Sequence, residues 1–193
     1  MKTLILGIGN ILWADEGFGV RAVEAFHELY ETADDVTVLD GGTQGLYLVE
    51  FVEACDQLLV FDAVDYALEP GELRVVRDDA VPRFMGAKKM SLHQTGFQEV
   101  LSAADLLGRY PQRLALIGVQ PLNLEDWGGP LTDPVRMALK PALDAALGVL
   151  TEWGVACHLR ARQGGATPPL LWNGLDDRGY ERREVESVRG WGD

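Results

Sequence analysis

The sequence predicts a single three-layer α/β domain: a twisted, mostly parallel sheet covered by helices on both faces. Three observations carry this. Short continuous apolar runs alternate with amphipathic segments of helical period. Three of the runs stop at glycine or aspartate, as buried parallel strands do at their carboxyl ends. The chain has 193 residues, 47% of them hydrophobic, enough for one core without disulfides or a structural metal.

Thr3 to Ile8 is an apolar run closed by Gly7 and Gly9, the pattern of a strand buried on both faces. Phe18, Ala22, Ala25, Phe26 and Leu29 then recur at helical spacing, with Arg21, Glu24 and Glu28 on the opposite side, so a helix starts near Glu16 or Gly17. Val36 to Leu39 reads as a strand stopped by Asp40-Gly41-Gly42, Leu46 to Glu53 as a short helix, and Gln57 to Phe61 as a buried strand stopped by Asp62. Leu73 to Arg77 follows the Pro70-Gly71 turn as a strand. Thr95 to Leu107 suits a helix, Arg113 to Val119 a strand and Pro134 to Glu152 a long helix.

Charge divides the chain. Residues 1–159 hold 11 Lys+Arg and 24 Asp+Glu, whereas 160–193 hold six of each, so the net −13 sits in the first part. The expected organisation is an α/β domain over 1–159 and a tail or extension over 160–193, rich in glycine and proline with little periodicity. So acidic a chain disfavours nucleic acid and anionic lipid as partners. Cys55 and Cys157 form no C-x-x-C pattern and read as reduced thiols. The N-terminal run breaks at Asn10 without a small-residue cleavage site, and no stretch reaches the roughly 18 apolar residues of a membrane span. The expectation is a cytoplasmic protein without membrane insertion.

Ligands of open α/β sheets gather beyond the carboxyl ends of the strands. Gly7-Ile8-Gly9 after a first strand suggests a dinucleotide site, but Leu12 stands where the third glycine belongs, and Asp15 and Glu16 would repel a pyrophosphate. A metal site is the other reading: Glu16, Asp62 and His93 offer two carboxylates and one imidazole, a set suited to a borderline divalent ion with open positions. Taken singly, each also has a structural reading, as a dipole partner, a turn cap or a helix-terminal residue. His27 and His158 read as structural, and Met85, Met90, Trp127 and Trp153 as packing residues. No G-x-S-x-G elbow occurs.

Four blocks together, Gly7-Ile-Gly-Asn-Ile-Leu-Trp-Ala-Asp-Glu-Gly-Phe-Gly19, Asp40-Gly-Gly-Thr-Gln-Gly45, Asp62-Ala-Val-Asp65 and Lys89-Met-Ser-Leu-His-Gln94, resemble the hydrogenase maturation endopeptidases. The likeness runs over about residues 1–155 and is nearest to the branch serving membrane-bound uptake hydrogenases. It implies a twisted sheet with helices on both faces. It implies an endopeptidase that clips the C-terminal extension from the nickel-loaded large-subunit precursor of [NiFe]-hydrogenases, with Glu16, Asp62 and His93 as nickel ligands and the nickel supplied by the precursor. Asp40 matches a further family carboxylate, either catalytic or holding the Gly41-Gly42 turn. Hydrolysis by water polarised by the metal, or activated by a carboxylate, stays open. The competing expectation is a non-catalytic nickel-binding chaperone on the same fold.

Overall fold

The computed structural model describes residues 1–85 and 92–161, without the side chains of 83–85 and 92–95. The expected tail therefore lies, from 162 on, outside the described residues. In chain order the elements are β1 (Thr3–Ile8), a 3-10 turn (Ala14–Gly17), α1 (Phe18–Leu29), β2 (Tyr30–Thr32), β3 (Val36–Gly42), a second 3-10 turn (Gly45–Leu48) and α2 (Val49–Glu53). There follow β4 (Gln57–Ala63), β5 (Leu73–Arg77), α3 (Ala80–Met85), α4 (Leu92–Leu106), β6 (Arg113–Val119), α5 (Asp133–Met137), α6 (Leu139–Glu152) and β7 (Cys157–Leu159).

Among the described residues the main sheet has five strands in the order β3-β1-β4-β6-β5. All its pairings are parallel except β5 with β6. The chain leaves β1 for β3 on one side and returns to β4 on the other, so the switch point lies between the ends of β1 and β4. The pleat divides the core. Ile5, Leu59, Phe61, Ala115 and Ile117 face α1 and α6, where Phe18, Ala22, Phe26, Ala142, Ala146 and Leu150 bury their side chains. Leu4, Leu6, Leu58, Val60, Leu114 and Leu116 face the other way, onto Val52, Phe97, Val100 and Ala104.

The strands β1, β5 and β6 run as the sequence indicates, and four differences have physical causes. The helix expected over Pro134–Glu152 is two, broken at Ala138, because Pro141 has no N–H to bond back to Met137 and instead occupies the first turn of α6. The segment 46–53 begins as a tight 3-10 turn before becoming helical. Arg21 and Glu24, assigned to the polar face of α1, are buried and form an ion pair at 3.1 Å. The pairing of β2 with β7 carries too few residues for a period to show. At its edge Arg160 donates its backbone N–H to the Leu29 carbonyl and its guanidinium to those of His27 and Tyr30, closing the end of α1.

Helix α1 begins directly on the switch point. A side chain at Gly19 would collide with the carbonyl oxygens of Ile8 and Phe61, and one at Gly7 with the carbonyl of Gly19. Glycine at these positions lets helix and sheet backbones touch. Gly19→Ala is expected to lower stability in urea unfolding by ~3 kcal/mol or more, since backbone atoms on both sides must move; a loss below about 1 kcal/mol would show that the contact yields easily.

Candidate active site

The turn 14–17 precedes α1 and packs against β4. Its two acids have opposite fates. Asp15 is fully buried, and its carboxylate accepts the backbone N–H groups of Leu122 (2.9 Å), Asn123 (2.9 Å) and Thr132 (2.8 Å) and the Thr132 hydroxyl (3.0 Å). It ties the β1–α1 loop to the segment between β6 and α5, and holds Ala14 beside it at φ 33°, a strained value for a residue with a side chain. Asp15 is therefore structural. Its partners stand more than a hundred residues away, so nothing local could reveal them.

Glu16 is half-exposed and lines a groove of about 470 Å³ with Asn10, Trp13, Thr43, Gly45, Gly96 and Leu124. Gly96 approaches Gly45 closely, so α4 forms one wall at Gly96. His93 is the second residue of α4, one turn before Gly96; its side chain lies outside the described ones. Helix α4 begins at Leu92, which places His93 inside the helix instead of ahead of it.

Asp62 is fully buried within β4, whose run to Ala63 takes in the residue expected to stop it; its partner in β6 is Gly118. The Tyr66 ring covers Gly118, and burial, then the charge of Asp62, pushes its phenol up, opposed by Arg74, whose guanidinium lies 5.7 Å from the ring centre. Gln120 fixes the loop between Asp62 and Tyr66. Its Oε1 accepts the N–H groups of Tyr66 and Leu68, and its Nε2 donates to Asp65 and to the Pro121 carbonyl. Sequence reasoning missed Tyr66 and Gln120, which belong to no motif.

Asp40 lies in β3, which is separated from β4 by β1 and runs past the expected stop at Asp40 to Gly42, with Gly7 of β1 as its partner. The Asp40 Oδ1 accepts the Gly42 N–H at 2.9 Å, and Asp40 lines a smaller pocket of about 200 Å³ that shares Asn10 and Thr43 with the Glu16 groove. Burial raises its carboxyl above the ordinary 3.8, against the lowering effects of the Gly42 N–H and the Arg21 guanidinium. Glu16 and Gly96 of α4 thus line one groove and Asp40 lines the pocket beside it, whereas Asp62 lies buried in β4, against which the turn bearing Glu16 packs. Among the described residues no three potential ligands form a metal-holding cluster, the His93 imidazole lying outside them. A larger cavity of about 560 Å³ opens at the other end of the sheet, near Lys2 and Asp35.

Neither thiol fits a nucleophile. Burial, then Asp56, pushes Cys55 up to about 12 and its S–H donates to the Val52 carbonyl; burial raises Cys157 too. The groove's outer lip is aromatic. Trp127 meets Trp13 edge to face, with centroids 5.1 Å apart and planes at 87°, and remains 64% exposed, contrary to its reading as a packing residue. Trp127 lies in the long connection between β6 and α5, where no helix or strand among the described residues covers its outer face.

Fold and site together define an α/β protein with carboxylates gathered at the carboxyl end of its parallel sheet. The structure superposes on that of the hydrogenase maturating endopeptidase HybD from Escherichia coli with a TM-score of 0.79 and 40% identity, covering 84% of this chain and 100% of that one. The chain belongs to the hydrogenase maturation protease family, whose profile matches residues 20–149. It is 68% identical over 182 residues to the hydrogenase expression/formation protein HupD of Rhizobium leguminosarum bv. viciae, covering 94% of this chain and 90% of that one. It is 43% identical over 156 residues to the hydrogenase 2 maturation protease of Escherichia coli K12, covering 80% and 94%. Among the described residues no helix is long and apolar enough to cross a membrane.

Two outcomes follow from this geometry. Asp15→Asn, which sets an amide against three backbone donors, should cost about 2–4 kcal/mol in chemical denaturation; an unchanged midpoint would contradict the tie. Asp40 favours the folded state when protonated, because its native value is raised. That contribution is present below the unfolded value near 3.8 and is lost as pH rises through the native one. Asp40→Asn keeps an oxygen for Gly42 and lacks this loss, so urea unfolding should show it gaining on the wild type between about pH 3 and pH 7. A gap that narrows in the other direction would refute the burial effect.

Proposed function

We propose that the chain removes the C-terminal extension of a nickel-loaded [NiFe]-hydrogenase large-subunit precursor, and that Glu16, Asp62 and His93 engage the nickel that the precursor carries. The observation that supports this most is the groove that Glu16 and Gly96 line together, with His93 one turn before Gly96 on the same helix and the turn bearing Glu16 packed against the strand of Asp62. Two carboxylates and an imidazole suit a borderline ion, and such a set binds modestly enough to let it go with the product. The ion then serves as a recognition mark, and its charge offsets the carboxylates around it.

In this reading the groove orients the scissile peptide, and nickel at Glu16, Asp62 and His93 fixes the register. Asp40, its carboxyl raised by burial, supplies the base that takes a proton from the attacking water. Asn10 and Thr43, shared by the two pockets, connect that base to the groove. The partner is the large-subunit precursor of an uptake-type enzyme, and we place the processing in the cytoplasm, where Cys55 and Cys157 stay reduced.

The test is mass spectrometry of purified precursor, nickel-loaded and nickel-free, before and after incubation with the protein. Loss of a C-terminal fragment from the loaded form alone is expected, with His93→Ala reducing processing by at least about a hundredfold while its far-UV circular dichroism is unchanged. Equal cleavage of both forms would remove nickel as the signal. A precursor that binds but keeps its mass would support the chaperone reading.

A further inference from the structure

The lip at Trp13 and Trp127 has an organisation that the metal site does not require. Trp127 is among the most exposed large hydrophobic side chains described, at 64%, yet it stands on a braced loop. The Gly128 N–H donates to the Leu12 carbonyl at 2.9 Å, and Trp13 and Trp127 form an isolated antiparallel bridge. Asn123 turns the same loop by accepting the Glu125 N–H at 2.9 Å, and Asp15 holds its base at Leu122 and Asn123. A fixed aromatic surface loses little freedom when it is covered, which is what makes exposed indoles effective anchors in interfaces.

Its neighbours specify the chemistry. Glu125 and Asp126, both exposed, directly precede Trp127, so the exposed indole stands on a loop that also carries two carboxylates. That combination takes a cationic side chain, by attraction to the ring face together with ion pairing. Trp13 connects the lip to the groove, because it contacts Trp127 on one side and lines the groove with Glu16 on the other. A second copy of this chain is a poor occupant: each copy carries −13, and like fields oppose close approach. The same field favours a partner that presents basic residues.

We propose that Trp127, with Glu125 and Asp126, is a docking subsite for an arginine or lysine side chain of the precursor, next to the segment that enters the groove. The proposal rests on the processing function above and adds to it a position read independently of nickel. Binding of the nickel-loaded precursor is measured by calorimetry on wild type, Trp127→Ala, Trp127→Phe and the double variant Glu125→Gln/Asp126→Asn, with cleavage followed separately by mass. Trp127→Ala should weaken binding roughly tenfold, Trp127→Phe should restore most of it, and the double variant should flatten the salt dependence of affinity. Melting temperatures of the three variants within about 2 °C of wild type make the losses local. Equal affinity of wild type and Trp127→Ala would overturn the subsite, as would a conversion of dimer to monomer by that variant in light scattering. A precursor that binds through Trp127 but is not cleaved would end the processing reading and leave the subsite standing.

Discussion

The site depends on a contact between two backbones. Gly7 on β1 and Gly19 on α1 leave no side chain between strand and helix, and Gly19 also lies against the carbonyl ends of Ile8 and Phe61. Helix α1 is thereby seated on the carboxyl ends of β1 and β4, and the turn before it cannot swing away. Gly9, at φ 135°, completes the clamp: a side chain there would collide with the Glu16 carbonyl, which accepts the Asn10 N–H at 3.2 Å. Glu16 therefore projects into the groove because its own backbone is pinned over the end of β1. The glycine pattern that imitates half of a dinucleotide fingerprint has a packing cause.

On that clamp the loops are fixed by electrostatics. Asp15 places a buried carboxylate among four donors, interactions stronger than those of a neutral acceptor. Removing the acceptor would leave several partly buried N–H groups unpaired, so the cost of a change exceeds the net worth of any one bond. This tie also keeps Ala14 in its strained conformation and the Trp13 and Trp127 loops in contact. A rigid lip and a fixed Glu16 thus share one origin.

How far the sequence reveals this follows from where the information lies. Strands buried on both faces are legible as apolar runs, and Asp40 and Asp62 could be assigned to the carboxyl ends of their strands, although both strands run one or two residues past them. Pairings of distant residues are not legible. Asp15 looks like its neighbour Glu16 until Thr132 is seen beside it, and Arg21 looks solvated until Glu24 and Asp40 are seen around it. The break at Ala138 was marked by Pro141, yet a helix tolerates proline in its first turn, so the mark alone did not distinguish one helix from two. Trp127 shows the opposite limit, since composition cannot tell an indole that packs from one that waits for a partner.

The two proposed recognition elements would constrain one another. If the docking subsite alone held the precursor tightly, nickel-free precursor would occupy the enzyme and the metal would discriminate nothing. A solvent-exposed indole with two hydrated carboxylates gives only modest attraction, and so does a donor set of two carboxylates and one imidazole. Joined on one substrate, the second contact forms at the high effective concentration set by the first, and affinity becomes close to a product. Weakness in each element is then what makes the pair selective, and the braced loops matter because both must be met in one geometry. An enzyme built with a deeper aromatic pocket at the same lip would bind more precursor and choose less well among its states.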